Sequence, residues 1–367
     1  MRDIIKNMNS KNVLITLIGV LIGLVTFLGG YILARKDGTP QSASIYQLER
    51  FNNKTATEGI IDNIGSERSV LERLSTVKVL NPTISESGRE VVYFEKGTGK
   101  ILSADFSGKS TNIVSGEIIN DLNDANWSKN GIQVIFNQQG KYTYFNVKTG
   151  ARSKLNQNIS HVTWSRDGKK IAYLFYDDKT GEGNISIASP DGSSFKNVFK
   201  TRAQNLKLNW PKENLLSFYA PFGLDKSLFL LNFETGKLEK ILDQLDDLEI
   251  LWSPDGSHLL YSYRDRDNLS RTKLLDLEKQ IDLEIDLLTS TDKCVWTLDS
   301  LSIYCGAEKE AGFENLYQLD LVKKEFGLIF KSSVAEPMTI SSPLLSPIEN
   351  YFFFIDQQDS YLYGIKL

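Results

Sequence analysis

At 367 residues, the chain is long enough for two ordinary domains or for one large repeat architecture. Its hydrophobic fraction of 41% is sufficient for a buried core, and a total of only 9 prolines argues against widespread disorder. A formal net charge of −4 without a basic stripe gives no indication of a nucleic-acid partner, so we predict none. The 15 Tyr, 19 Phe and 5 Trp favour β structure.

The first predicted element is a single transmembrane helix over residues 13–33. This segment carries no charge, and as a helix it would span roughly 30 Å, the thickness of the hydrocarbon core of a bilayer. A buried core helix would show a polar stripe, which is missing here. A cleavable signal peptide would have a shorter apolar region that ends in a small-residue cleavage site. We therefore expect an uncleaved membrane anchor.

The charges that flank this segment predict its orientation. Three basic residues and one acid precede it, whereas two basic residues and one acid follow it. The positive-inside rule therefore places residues 1–12 in the cytoplasm and the bulk of the chain outside, at the cell envelope. Residues 34–75 are polar and weakly patterned, which is typical of a stalk. Within them, Ser69 and Glu72 could form the capping box of a short helix over Ser66–Leu74.

From residue 76 to residue 367, one motif recurs: an apolar strand, a Ser-x-Asp-Gly-like turn and an alternating strand. Its clearest copies are Trp127–Gly131, Trp164–Gly168 and Trp252–Gly256. The anchor positions, which we define as the last residue before each turn, are Ile84, Trp127, Trp164, Trp210, Trp252, Trp296 and Leu345. Their spacing is close to the ~40–45 residues of a WD-type propeller blade.

A second motif, a strand that enters a tight turn, repeats in phase with the first, as in Tyr144–Gly150 and Leu230–Gly236. Each period therefore supplies four strands, A to D. The predicted fold is all-β, a seven-bladed β-propeller of four-stranded antiparallel blades, with six or eight blades as alternatives. The Asp residues of the turns are interpreted as caps of backbone N–H groups.

The last period stops after its strand C, so a strand from the N-terminal side is expected to complete the final blade. The two candidates are Val77–Leu80 and Gly59–Ile64, of which the first is slightly preferred because it lies close to the first anchor position.

Trp252–Gly256 and Trp164–Gly168, each followed by an Ile-Ala-Tyr-like strand, resemble the repeat of the TolB-type periplasmic β-propeller of bacteria. The resemblance covers roughly residues 76–367. It implies a fold and little about function, because the matching residues are turn and core positions. Related repeats occur in the propellers of prolyl oligopeptidases and dipeptidyl peptidases.

We predict no catalytic residue, no metal site and no cofactor. The hydrolase domain of a propeller-bearing peptidase would need a Gly-x-Ser-x-Gly motif, which is missing from the sequence. Lyases on related propellers use several His ligands, whereas this chain has only His161 and His258, on opposite sides of the predicted ring. Both histidines are interpreted as surface residues.

The two cysteines flank the A–B hairpin of the sixth blade. With the turn centred on Asp299 and Ser300, Cys294 and Cys305 lie opposite each other, about 4.5–5.5 Å apart at Cα. A disulfide is expected in an oxidising compartment, and two buried thiols are expected in the cytoplasm.

Propeller geometry places the B–C and D–A connections on one face, which we call the long-loop face. Five long segments are predicted there: Asp177–Gly183, Ala220–Ser227, Arg264–Arg271, Gly306–Asn315 and Lys331–Ser342. Varied loops on a rigid frame are common places for binding sites. The candidate contact residues are Phe222, Arg264, Arg266, Arg271 and Phe313.

The leading functional hypothesis is a non-enzymatic binding or scaffolding propeller with an envelope protein or glycan as its partner. The alternative is an envelope carbohydrate-active hydrolase or lyase that uses carboxylates in the propeller channel. Paired acids in that channel would favour the enzyme.

Overall fold

The computed structural model describes residues 47–50, 71–222, 226–310, 313–333 and 337–367. The predicted transmembrane segment and most of the predicted stalk lie outside these residues. Within the described residues, no helix has the length and apolar character needed to cross a membrane.

Seven sheets make up the described structure, and together they confirm the predicted seven-bladed propeller. Two strands precede the first complete blade: β1 (Gln47–Arg50) and β2 (Leu71–Arg73). The strands of blades 1 to 3 are β3 (Val79–Ile84), β4 (Glu90–Glu95), β5 (Ile101–Asp105), β6 (Thr111–Ser115), β7 (Leu122–Trp127), β8 (Gln133–Gln138), β9 (Lys141–Asn146), β10 (Arg152–Lys154), β11 (Ile159–Trp164), β12 (Ile171–Asp177), β13 (Glu182–Ala188) and β14 (Lys196–Thr201).

The strands of blades 4 to 7 are β15 (Lys207–Lys212), β16 (Leu215–Tyr219), β17 (Leu228–Asn232), β18 (Leu238–Leu242), β19 (Asp246–Trp252), β20 (His258–Arg264), β21 (Ser270–Asp276), β22 (Ile281–Ile285), β23 (Cys294–Trp296), β24 (Ser302–Glu310), β25 (Phe313–Asp320), β26 (Glu325–Phe330), β27 (Ile340–Leu345), β28 (Tyr351–Asp356) and β29 (Leu362–Lys366). A 3-10 turn, Thr291–Lys293, precedes β23.

The Ser-x-Asp-Gly motif forms the A–B turn, as its chemistry predicts. In blade 3, the Ser165 hydroxyl donates to Asp167 at 2.7 Å and accepts the N–H of Lys170 at 2.9 Å. Gly168 has a φ of +68°, a left-handed conformation that favours glycine. The carboxylate and hydroxyl of the motif thus satisfy the backbone of a tight turn, so these residues belong to the framework.

The blades pack face to face, and five Trp anchors lie at the joins. In most blades, strands B and C are buried over much of their length because both faces of the sheet are covered, as in β4, whose four central residues are all buried. Several Trp side chains also bond to the neighbouring blade. The Nε1–H of Trp127, Trp164 and Trp296 donates to the strand-A carbonyls of Asn81, Asn126 and Leu251, and that of Trp252 donates to Ser217 Oγ.

The ring is closed by an N-terminal strand, although not by either candidate. Strand β2, Leu71–Arg73, pairs antiparallel with β29 and becomes the outer strand of blade 7. The preferred candidate was wrong, because Val79–Ile84 forms strand A of blade 1, and Gly59–Ile64 lies outside the described residues. The predicted helix was wrong over 71–73, because these residues are extended.

Strand β1 adds a fifth member to the sheet of blade 5. Gln47–Arg50 pairs parallel with β22, with Gln47 opposite Ile281 and Arg50 opposite Glu284. The chain therefore meets the outer edge of blade 5 before it completes blade 7.

Candidate binding site at the mouth of the channel

One position of strand A supplies a polar residue in every blade. It lies three residues before each anchor, between the first and the fourth residue of the strand or, in blade 6, in the 3-10 turn before it. None of these residues is fully buried, in contrast to the apolar residues around them. We call the set the channel collar: Asn81, Asp124, His161, Lys207, Glu249, Lys293 and Ser342. Because the strands A surround the central channel, the collar rings its opening on the long-loop face.

Hydrogen bonds link the collar across two joins, between blades 1 and 2 and between blades 3 and 4. Asn81 Nδ2 donates to Asp124 Oδ1 at 2.8 Å, and the backbone N–H of Leu208 donates to His161 Nδ1 at 3.3 Å. Burial lowers the pKa of His161 to about 4; the charge of Lys207 contributes to this shift and that of Asp124 opposes it. His161 is therefore neutral at pH 7 and acts as a hydrogen-bond acceptor in the wall of the channel.

Lys207 and Glu249 place opposite charges on the next two blades. The Nζ of Lys207 lies 5.8 Å from the centroid of the Tyr219 ring, a cation–π distance. The pKa of Tyr219 is raised, mainly by burial and further by the charge of Glu249. Both charges therefore lie near the same aromatic side chain at the join of blades 4 and 5.

A cavity of about 380 Å³, the channel-mouth pocket, opens at this join. Lys207 and Glu249 line it together with Asp247, Arg264 and Phe222. Arg264 Nε and Asp247 Oδ2 form an ion pair at 2.8 Å. Phe222 is 79% exposed, which is unusual for a large aromatic side chain. The pocket thus combines both signs of charge with an accessible aromatic ring.

The structure brings two of the five predicted contact residues together, Phe222 and Arg264. Arg266 is exposed and does not line the pocket. Arg271 Nε forms an ion pair with Asp265 Oδ2 at 2.8 Å, and its Nη1 lies 3.8 Å from Glu284 Oε1. Its guanidinium therefore stabilises the B–C turn of blade 5.

Phe313 does not line the pocket and lies in blade 6. The predicted loop Gly306–Asn315 was wrong in its extent. Strands β24 and β25 run through most of it as a long hairpin, and Phe313 begins β25, opposite Glu310. The adjacent Glu314 is almost fully buried; its Oε2 accepts the N–H of Ile340 at 2.7 Å, and its Oε1 pairs with Lys293 of the collar. This link between blades 6 and 7 was missed, and no sequence motif marks it.

The collar was missed as well, although its signal was present in the sequence. Counting back from the anchor positions would have revealed a polar residue at the same offset in all seven repeats. These residues lie in or beside strands and share no local motif, only their offset from the anchor positions.

The two histidines are in separate environments, and their interpretation as surface residues was wrong. His258 is half-buried, with Nδ1 2.7 Å from Ser257 Oγ, Nε2 3.5 Å from Asp276 and its ring 5.9 Å from that of Trp296. Within the described residues, no group of three or more His, Cys, Asp and Glu side chains is placed to hold a metal ion.

Cys294 and Cys305 are paired in register across strands A and B of blade 6. Their sulfur atoms are joined as a disulfide, and the Cα atoms are 4.1 Å apart. Both residues are buried in the core between blades 5 and 6. Cys294 Sγ lies 3.3 Å from the backbone oxygen of Ser290, which lines the channel-mouth pocket, so the bond supports the structure beside that pocket.

The sequence matches no protein-family model and no curated protein. Solved structures do match. Two oligogalacturonate lyases, one in complex with manganese and one from Vibrio parahaemolyticus, give TM-scores of 0.61 and 0.60, each at 11% identity. The matches cover 81% and 82% of this chain and 93% and 94% of theirs.

The β-propeller domain of Cps50 (Swd1) from Myceliophteria thermophila gives a TM-score of 0.57 at 10% identity, over 82% of this chain and all of that domain. The propeller of the Trilobed protease from Pyrococcus furiosus, which has an open velcro topology, gives 0.56 at 14% identity, over 78% and 92%. At such identities the likeness shows the fold alone. The chain is therefore a β-propeller whose neighbours in structure include enzymes, and the likeness does not choose between catalysis and binding.

Proposed function

We propose that the protein is a non-enzymatic binding module whose partner docks at the channel-mouth pocket. The observation that carries this proposal is the pocket itself, in which Lys207, Glu249 and the Asp247–Arg264 pair lie beside the exposed Phe222. An open cavity with an aromatic contact and a few fixed charges is the usual form of a binding site. Arg and aromatic side chains are also the commonest sources of binding energy at protein interfaces.

The electrostatics of the pocket favour binding over glycosidic cleavage by two carboxyl groups. Such an enzyme needs one acid kept protonated, which requires a raised pKa. Here Asp247 forms an ion pair with Arg264 at 2.8 Å. Burial raises the pKa of Asp356, but this carboxyl group does not line the pocket. It lies in blade 7 and accepts the N–H groups of Thr339 and Gln358.

We further propose that this is a TolB-type bacterial propeller, anchored in the membrane by residues 13–33 and displayed outside the cytoplasm. The uncharged segment and the basic residues before it support the anchor and its orientation. The Cys294–Cys305 disulfide supports an oxidising compartment. The Trp-Ser-Pro-Asp-Gly turn at Trp252–Gly256 supports the TolB type.

The test is affinity capture by the full-length chain in detergent, followed by titration of the captured partner once it is identified and purified. The double variant Phe222→Ala, Arg264→Glu should weaken the partner's binding at least about tenfold, since one aromatic anchor and one charge are worth more than roughly 1.4 kcal/mol together. The matched control is Phe195→Ala, Lys109→Glu, which changes an exposed Phe and an exposed Lys on the opposite face.

Equal binding by both double variants would contradict the proposed site. An enzyme would be detected differently: the purified chain would be incubated with oligogalacturonate and Mn²⁺, and the unsaturated product would be followed by ultraviolet absorbance. Turnover that is lost in the Phe222→Ala, Arg264→Glu variant would overturn the non-enzymatic proposal.

A further inference from the structure

The joins between blades are not all alike, and the join between blades 3 and 4 differs at its anchor. Trp164 donates its indole N–H to the Asn126 carbonyl of the preceding blade at 2.8 Å. Trp210 instead donates to the Glu213 carbonyl in its own A–B turn, at 3.1 Å. The anchor of blade 4 therefore does not use its indole N–H to bond to blade 3.

The cause lies in the turn that follows Trp210. Blade 4 has Pro211-Lys-Glu-Asn214 where the clear copies have Ser-x-Asp-Gly or, in blade 2, Ser-x-Asn-Gly. Lys212 pairs with Leu215, so strand A continues past the anchor and a two-residue turn follows. This shorter turn brings the Glu213 carbonyl within reach of the indole.

A cleft of about 520 Å³ lies at this join, on the face opposite the channel-mouth pocket. Its apolar lining consists of Ile187, Trp210 and Phe233. The rings of Trp210 and Phe233 meet edge to face, with their centroids 5.6 Å apart. We call this cavity the blade 3–4 cleft. Its volume is in the range of sites that hold small ligands or short peptide segments.

The two walls of the cleft carry opposite charges. Arg166 and Lys170 come from blade 3, and Glu213 and Glu234 come from blade 4; all four are exposed. The remaining acid of the lining is Asp167, whose carboxylate accepts hydrogen bonds from the Ser165 hydroxyl and the Lys169 backbone N–H. The cleft thus has a basic wall, an apolar centre and an acidic wall.

We propose that the blade 3–4 cleft is a second binding site, for a short peptide segment in which an apolar side chain stands between an acidic and a basic residue. The apolar side chain would contact Trp210 and Phe233. The acid would face Arg166 and Lys170, and the base would face Glu213 and Glu234. Charge complementarity is the reason for this choice, because a purely apolar or singly charged ligand would leave one charged wall without a counter-charge.

The experiment uses the full-length chain in detergent, labelled with 5-fluorotryptophan, and the probe peptide acetyl-Glu-Phe-Lys-amide. The chain has 5 Trp, and the 19F resonance of Trp210 is identified by its loss in Trp210→Phe. We expect the peptide to shift the Trp210 resonance saturably and to leave that of Trp127 unmoved. Acetyl-Gln-Phe-Gln-amide should bind about fivefold more weakly, the factor that corresponds to about 1 kcal/mol from exposed charge pairs.

Variants of the basic wall complete the test. Arg166→Glu should weaken binding of the charged peptide about fivefold, and Arg166→Lys should retain it. Lys109→Glu, an exposed charge on the same face in blade 1, is the matched control and should have no effect.

An unmoved Trp210 resonance at saturating peptide would overturn the proposal. Equal affinity for the charged and uncharged peptides, or an Arg166→Glu variant that binds normally, would overturn it as well. Because the channel-mouth pocket lies on the other face, these results are independent of the capture experiment on Phe222 and Arg264.

Discussion

At the scale of single residues, the anchor tryptophans and the collar histidine have environments that unfolding experiments can probe. Three of the bridging indoles satisfy a carbonyl of the preceding blade, as Trp164 does for Asn126, and that of Trp252 satisfies the Ser217 hydroxyl. His161 is held neutral by its burial among polar neighbours. Both effects arise from contacts between blades, and so both report on the integrity of the ring.

Trp164→Phe should lower the free energy of unfolding by about 1–2 kcal/mol. The phenyl ring keeps most of the apolar contact, but the Asn126 carbonyl loses its donor in a part-buried site. The matched substitution is Trp210→Phe, which should cost less, because its acceptor belongs to the exposed residue Glu213 and can bond to water instead. Urea unfolding followed by circular dichroism measures both, and an equal or reversed order would contradict this account.

His161 should make stability fall with acid between pH 6.5 and pH 4. The folded-state pKa of about 4 lies below the ordinary 6.5, so in this interval the unfolded chain binds a proton that the folded chain does not. The contribution is fully present above pH 6.5 and is lost as the pH falls to 4, to a total of about 3 kcal/mol.

His161→Gln keeps a side-chain acceptor for the Leu208 N–H and removes the titration. Urea midpoints measured from pH 7 to pH 4.5 should therefore decline less in the variant than in the native chain. Parallel curves would show that His161 is not buried as described.

At the scale of elements, blade 6 has an unusually short inner strand and a covalent link that supports it. Strand β23 has three residues, Cys294–Trp296, whereas the inner strands of the other blades have six or seven. Few backbone hydrogen bonds can therefore hold it to β24. The disulfide joins these two strands at the end of their short ladder.

Replacing both Cys294 and Cys305 with Ala should lower the free energy of unfolding by about 2–3 kcal/mol. This is the usual contribution of a bond that closes a loop of this size, here with a sequence separation of 11. Thermal unfolding of the variant and of the native chain measures the loss. Thiol labelling of the denatured, non-reduced native chain should find neither cysteine free. Two labelled cysteines would contradict the bond and weaken the proposed extracytoplasmic location.

At the scale of the whole molecule, the ring depends on a short segment near its N-terminal side. The Leu74 backbone N–H donates to the Leu362 carbonyl at 2.8 Å, and Ser75 Oγ accepts the Leu362 N–H at 2.9 Å. The Leu74 side chain is 1% exposed and packs in a cluster that includes Tyr93 of blade 1 and Phe353 of blade 7. One leucine therefore joins the first blade to the last.

Leu74→Ala should lower the free energy of unfolding by roughly 2–5 kcal/mol, because it leaves a cavity at the closure. Leu71→Ala, in the same strand region but only half-buried, is the matched control and should cost clearly less. Differential scanning calorimetry measures both. Similar losses for the two variants would show that the closure does not depend on Leu74.

The sequence by itself determined the repeat: the anchors, the Ser-x-Asp-Gly turns, the seven blades, the strand order and the opposition of Cys294 to Cys305. These features depend on local chemistry, since each turn satisfies its own backbone and each hairpin sets its own register. The tendency of a ring to close with an N-terminal strand was also predictable, although the identity of β2 was not. Three residues, Leu71–Arg73, are too few to show an alternating pattern.

The tertiary structure alone decided which side chains meet. Phe222 and Arg264 share a pocket with Lys207. Arg271 instead forms an ion pair with Asp265, and Phe313 lies in a strand of another blade. The burial of His161 and the altered donor contact of Trp210 likewise depend on neighbouring blades or on the exact course of one turn. Contacts between residues about forty positions apart follow from how the blades close around the channel, and a local sequence pattern carries little information about them.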